Sequence, residues 1–116
     1  MLNKIKDLKH NVYNRKVDVW GNVTFINELG EVDYTTAKIK TIWAKIVPQT
    51  GSLQKTQAET ILTNTTHKII VRYLSGEFIK ESDFITFRDK RYDIKFILNP
   101  FFRDEFLEIF CEQVLE

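Results

Sequence analysis

The chain has 116 residues, enough for one domain with its own core but not for two. Its 43% hydrophobic and 28% charged residues exclude a disordered tail, and a formal charge of +1 gives no overall pull toward nucleic acid or an anionic membrane. The single cysteine, Cys111, excludes a disulfide framework and a cysteine-based metal site.

Leu2, Ile5, Leu8 and Val12 recur at helical spacing, so the N-terminal segment, residues 1–15, predicts a short helix. "MLNKIKDLKHNVYNRK" contains no continuous apolar run and reads as neither a signal peptide nor a membrane span. The expectation is an intracellular, soluble product, in which the Asn-x-Thr triplets at Asn22 and Asn64 are chance matches.

"KVDVWGNVTFI" alternates through Val17, Val19, Gly21, Val23 and Phe25, the period of a half-buried strand, with Gly21 marking a bulge or bend. "NELGEVDY" reads as a turn or long hairpin loop around Gly30. In "KIKTIWAKIVPQ" Ile42, Ala44 and Ile46 point one way and Trp43, Lys45 and Val47 the other. Pro48 then ends the strand because it lacks an amide donor. Trp43 is expected to anchor the core, since tryptophan buries a large apolar area.

A polar loop spans residues 49–64, "QTGSLQKTQAETILTN", longer than most connections in a compact domain. Its few apolar anchors predict mobility in an isolated subunit, while Leu53, Ala58, Ile61 and Leu62 could instead form one face of a short helix. "THKIIVRYL" resumes the strand pattern, with Ile69, Val71 and Tyr73 on one face and Arg72 on the other. "SGEFIKESD" is a polar connector. "FITFRD" and "RYDIKFIL" form a hairpin around an Asp89-Lys90 turn, "NPFFRDE" turns again, and "FLEIFCEQVL" closes the series. Tyr73 and Tyr92 are expected in the core or at its rim, and Cys111 as a small buried hydrophobe. Together these elements predict a mainly all-β domain, a small antiparallel barrel of about six strands with the long loop between the second and third.

The charge is uneven along the chain. Residues 1–20, with Lys4, Lys6 and Lys9, carry a net +3, whereas residues 103–116, with Glu108 and Glu112, carry −4. These are either two solvated surfaces or complementary faces of neighbouring subunits.

Catalytic signals are poor. There is no phosphate-binding loop, dinucleotide glycine pattern, nucleophile elbow or histidine pair at ligand spacing. His10 and His67 lie in different elements, and the acidic groups of "EFIKESD" read as a solvated connector. The expectation is therefore no catalytic, cofactor-binding or metal-binding residue. "RYDIKF", "KIIVRY" and "TFRDKRY" interleave basic and aromatic residues, which keeps open the alternative of a small OB- or SH3-like barrel binding nucleic acid. Most of those aromatics share a face with Ile and Leu neighbours, however, and are expected in the core.

The ordered set "TIWAKIVPQTGSLQ", "THKIIVRYLSG" and "FRDKRYDIKFIL…LEIFCEQV" resembles the head–tail adaptor family of tailed phages and prophages, also called head-closure or stopper proteins. The resemblance spans about residues 15–114. It implies a β-barrel that joins copies of itself in a ring beneath the portal or connector protein. Such a ring is joined to a tail protein below, near the packaged DNA, and helps close the DNA channel. It implies no enzyme, cofactor or membrane role, and a location at the virion head–tail interface after a stage in the host cytoplasm. On that reading Thr50, Gly51, Ser52, Leu53, Gln54, Lys55, Thr56, Gln57 and Thr60 belong to an assembly or channel loop. Lys4, Lys6, Lys9, Arg72, Glu108 and Glu112 are candidates for the inter-subunit surface.

Overall fold

The computed structural model describes residues 13–49 and 65–115. These form a closed antiparallel barrel from β1 (Arg15–Ile26), β2 (Val32–Pro48), β3 (His67–Arg72), β4 (Phe84–Phe87), β5 (Lys90–Leu98) and β6 (Phe106–Gln113), in the order β1-β2-β3-β6-β5-β4. A one-turn helix, α1 (Tyr73–Gly76), follows β3, and a 3-10 turn (Pro100–Phe102) precedes β6. The expected N-terminal helix lies outside the described residues, as does the loop between Gln49 and Thr65.

Alternation builds the core. Val17 and Val19, Ile42 and Ala44, Ile69 and Val71, Tyr92 and Ile94, and Leu107, Ile109 and Cys111 each sit two residues apart on their strands and point inward. Ile69, Ile85 and Ile109 are wholly buried, from three different strands. Closure removes the open sheet edges that such apolar strands would otherwise present. The closing seam pairs β1 with β4, from Asp18↔Thr86 to Trp20↔Phe84.

The strand order puts β3 and β4 on opposite walls, so residues 73–83 must cross one end of the barrel. This crossing plugs the end: Ile79 is buried, and Tyr73 and Phe78 pack against the core. Asp83 finishes the crossing, its Oδ2 accepting the Lys80 amide at 2.9 Å while its own amide donates to the Lys80 carbonyl. Gly21 lies beneath Asp83, where a Cβ would overlap the carboxylate and come within 2.7 Å of Ile39 Cδ1. The irregularity expected at Gly21 belongs to the partner strand. Val19 pairs with Lys40 and Trp20 with Lys38, which leaves Ile39 as the extra residue of a bulge. Gly21 instead makes room for the plug.

Past the bulge, β1 and β2 continue together from Gly21↔Ala37 to Ile26↔Val32. The period-two pattern of Val23 and Phe25 correctly marks a strand, but this part of it has no sheet behind it, and Phe25 is exposed. Pairing with β1 also draws Val32 to Ala37 into β2, although "NELGEVDY" reads as turn or loop. Two further expectations are corrected. Trp43 is 51% exposed and does not anchor the core: Ile42 and Ala44 face inward, so the pleat turns the residue between them outward whatever its apolar area. The β4–β5 turn is centred on Arg88-Asp89, both at positive φ, rather than Asp89-Lys90, because Phe87 pairs with Lys90. A two-residue turn with both central residues left-handed follows the twist of the strands it joins.

Candidate functional site

The feet of the long loop are firmly held. The Gln49 amide donates to the Thr66 carbonyl at 2.9 Å, and the Thr66 amide to the Cys111 carbonyl at 2.8 Å. Thr66 Oγ1 accepts the Gln113 amide at 2.7 Å and lies 2.9 Å from His67 Nδ1. Thr65 is fully buried. The loop residues proposed for assembly, Thr50 to Gln57 and Thr60, lie outside the described residues, as do Lys4, Lys6 and Lys9.

The remaining sequence candidates share the outer wall of the neighbouring strands β3 and β6, where Ile70 pairs with Glu108 and Arg72 with Phe106. Glu108 and Glu112 line the outside of β6, where each is paired within the chain. Lys68 Nζ lies 3.4 Å from Glu108 and Lys95 Nζ lies 3.3 Å from Glu112. Arg72 ends β3 with its guanidinium over the Tyr13 ring, 4.6 Å from the centroid, in a shallow depression shared with Asn14 and Trp43. Lys16 lies over the other side of this group, 5.3 Å from the Trp43 ring centre.

From Lys16 a basic and aromatic groove of about 440 Å³ runs over the closing seam to the β4–β5 turn. Two of its lining residues, Trp20 and Arg91, belong to a stack drawn from three strands and completed by Phe84. Trp20 and Phe84 lie nearly parallel with centroids 5.9 Å apart, and the Arg91 guanidinium covers Phe84 at 3.7 Å. Trp20 Nε1 donates to Thr86 Oγ1 at 2.9 Å, which holds the indole flat against the barrel wall. Arg88 and Lys90 stand exposed at the rim. The two acids that line it are Asp18, which accepts from Thr41 Oγ1 at 2.6 Å and lies 3.8 Å from Lys38, and exposed Asp89.

At the other end of β1 the hairpin arm closes in a well-braced turn. Asn27 Oδ1 accepts the amides of Leu29 at 2.9 Å and Glu31 at 3.0 Å, and Gly30 takes φ +79°. Ile26, Leu29, Val32 and Tyr34 are exposed around it, Leu29 by 81%. A second apolar tip lies at the same end by strand direction. Phe101 and Phe102 are almost fully exposed and both left-handed, in a turn locked by Asn99 and Asp104 hydrogen bonding to each other at 2.7 and 3.1 Å. Left-handed backbone costs such residues roughly 1–2 kcal/mol each.

Sequence reasoning missed Trp20, Phe84 and the two tips as surface features. For Trp20 and Trp43 strand parity held the signal, since both sit between inward-facing neighbours. The stacking of Trp20 with Phe84 depends on β1 lying beside β4, which no local pattern announces. Of the aromatics in the basic and aromatic stretches, Tyr92 is buried, while Tyr73, Phe87 and Phe96 are half-buried.

Cys111 is fully buried, as expected, and burial, reinforced by the Asp93 charge, pushes its thiol up to about 12. It therefore holds almost no thiolate at neutral pH. Among the described residues no three His, Cys, Asp or Glu side chains group as a metal site, and no helix is long and apolar enough to cross a membrane.

The solution structure of protein SF1141 from Shigella flexneri 2a is similar in fold, with a TM-score of 0.69 and 18% sequence identity over 89% of this chain and 94% of that one. Comparison with curated proteins found no match. The model of the phage head completion protein family matches residues 8–114, nearly the whole length. The chain belongs to the phage head completion protein family, with a structural role in closing the phage head.

Proposed function

We propose that the chain works as one subunit of a ring at the virion head–tail interface, seated on the portal or connector protein above and meeting a tail protein below. Before assembly it resides in the host cytoplasm. The observation that carries this reading is the exposed hairpin arm: a well-formed element bearing Ile26, Leu29, Val32 and Tyr34 in solvent is suited to a neighbour. Residues 50–63, between feet fixed at Gln49 and Thr66, serve as the assembly or channel-facing loop near packaged DNA. Their Thr and Gln side chains can hydrogen-bond between subunits without trapping phosphates. Arg72, Glu108 and Glu112, with Lys4, Lys6 and Lys9, contribute to surfaces between subunits.

The test is complementation of head particles that lack this protein. The full chain should restore DNA-retaining, infectious particles, whereas a chain with residues 50–63 replaced by a short turn should fold and fail to restore them. Circular dichroism melts establish folding. A deletion that unfolds the barrel, or one that restores full infectivity, would count against the loop's role.

A further inference from the structure

We infer that the tip of the β1–β2 hairpin docks into the basic and aromatic groove of a second copy of this chain. The inference rests on the ring reading and names the contact that builds it. Residues 21–37, the arm and its turn, hold Glu28, Glu31 and Asp33 and no cationic side chain. The groove presents Lys16, Arg88, Lys90 and Arg91 around an aromatic floor of Trp20 and Phe87. Four cations there face two lining carboxylates, exposed Asp89 and Asp18, which is already engaged by Thr41 and Lys38, while Asp93 beside the groove takes up only the Nε side of Arg91, at 2.7 Å. The rim therefore keeps an excess of positive charge. Opposite charge on two surfaces steers their encounter and fixes their register.

The apolar parts match as well. Ile26, Leu29 and Val32 crown the tip, and the half-buried Trp20 and Phe87 give the groove an apolar part for them to cover. Alternating strand direction puts the tip and the Arg88–Arg91 turn at opposite ends of the barrel wall. The arm cannot fold back to fill its own chain's groove, because its pairing with β2 runs unbroken from Gly21 to Ile26. A patch that meets a different patch on the next copy makes a head-to-tail contact. Repeated, such contacts give a ring when the rotation closes and a filament when it does not.

Cysteine cross-linking of the full chain tests this directly, since native Cys111 is fully buried and its thiol is held far above neutral pH. One preparation carries Leu29→Cys and another Lys90→Cys; they are mixed, concentrated and treated with a short bismaleimide. The expected product is a pair of the two different chains. Its yield should fall about tenfold or more when the groove chain also carries Arg88→Glu and Arg91→Glu, the scale of losing close charge pairs across an interface. The yield should recover when the arm chain also carries Glu28→Lys and Glu31→Lys. A yield no higher than that from Glu105→Cys, an exposed position away from the groove, overturns the inference. So does loss of short duplex DNA binding in the Arg88→Glu, Arg91→Glu chain with cross-linking unchanged, which assigns the groove to nucleic acid. Chains that cross-link as expected yet cannot complete heads support the contact and overturn the functional reading instead.

Discussion

Gly21 and Asp83 share one small volume: the barrel wall is bare at Gly21, and the Asp83 carboxylate ending the plug fills the space a side chain would take. Asp83 cannot easily retreat, because its other oxygen holds the Lys80 amide and the residue is buried. Gly21→Ala should therefore destabilise the fold by about 1–3 kcal/mol, the usual range for overpacking, despite alanine's lower chain entropy when unfolded. Denaturant unfolding with an unchanged slope would measure it. A neutral or stabilising result would show that the plug is loosely seated.

The core and the outer wall should respond oppositely to intuition about size. Ile69→Ala leaves a cavity in a wholly buried site and should cost about 2–5 kcal/mol. Trp43→Ala removes a larger side chain but one that is half in solvent, and should cost less than Ile69→Ala. Paired chemical melts decide the order. The reverse ranking would place Trp43 back in the core.

Stability should fall at both ends of the pH scale, for separate reasons. Burial raises the Cys111 thiol from 9.0 to about 12 and also raises Tyr92, so the unfolded chain loses these protons first. The stabilisation they represent is complete below pH 9 and declines as pH rises toward 12. Burial lowers His67 from 6.5, so its contribution holds above that value and is lost as pH falls through the folded one. Melting temperatures across the range give the curve. Cys111→Ser should flatten part of the alkaline limb, and a native thiol that reacts readily at neutral pH would contradict the burial.

Asn27→Ala removes the acceptor that braces the hairpin tip through the Leu29 and Glu31 amides. The loss is about 1 kcal/mol and local, because the arm does not pack on the core. Amide hydrogen exchange should quicken from residue 22 to 36 with little change in global melting. Uniform acceleration across the barrel would show that the arm and core unfold as one unit.

Much of the barrel was legible because its code is short-range. Val17 with Val19, Ile69 with Val71 and Ile109 with Cys111 announce inward faces by parity alone, and Pro48 ends β2 where an amide donor runs out. The same parity misled at Phe25, since a period of two says which side chains share a face but not whether anything covers it. Trp43 was misread when size was allowed to outweigh its position between Ile42 and Ala44. Arg72 could be placed on the surface from its strand. The groove could not be foreseen, because Lys16 and Trp20 meet Thr86, Lys90 and Arg91 only through the β1–β4 seam.

That seam also sets how the chain must fold. The β1–β2 and β5–β6 ladders join strands near in sequence and can zip early, whereas Asp18 meets Thr86 only after the intervening strands and the crossing segment are placed. Closure across such a separation pays loop entropy before any contact repays it, which slows folding. Until it closes, β1 offers an unpaired edge bearing Trp20 to every other nascent chain, an invitation to aggregate that grows with the concentration of unfinished barrels.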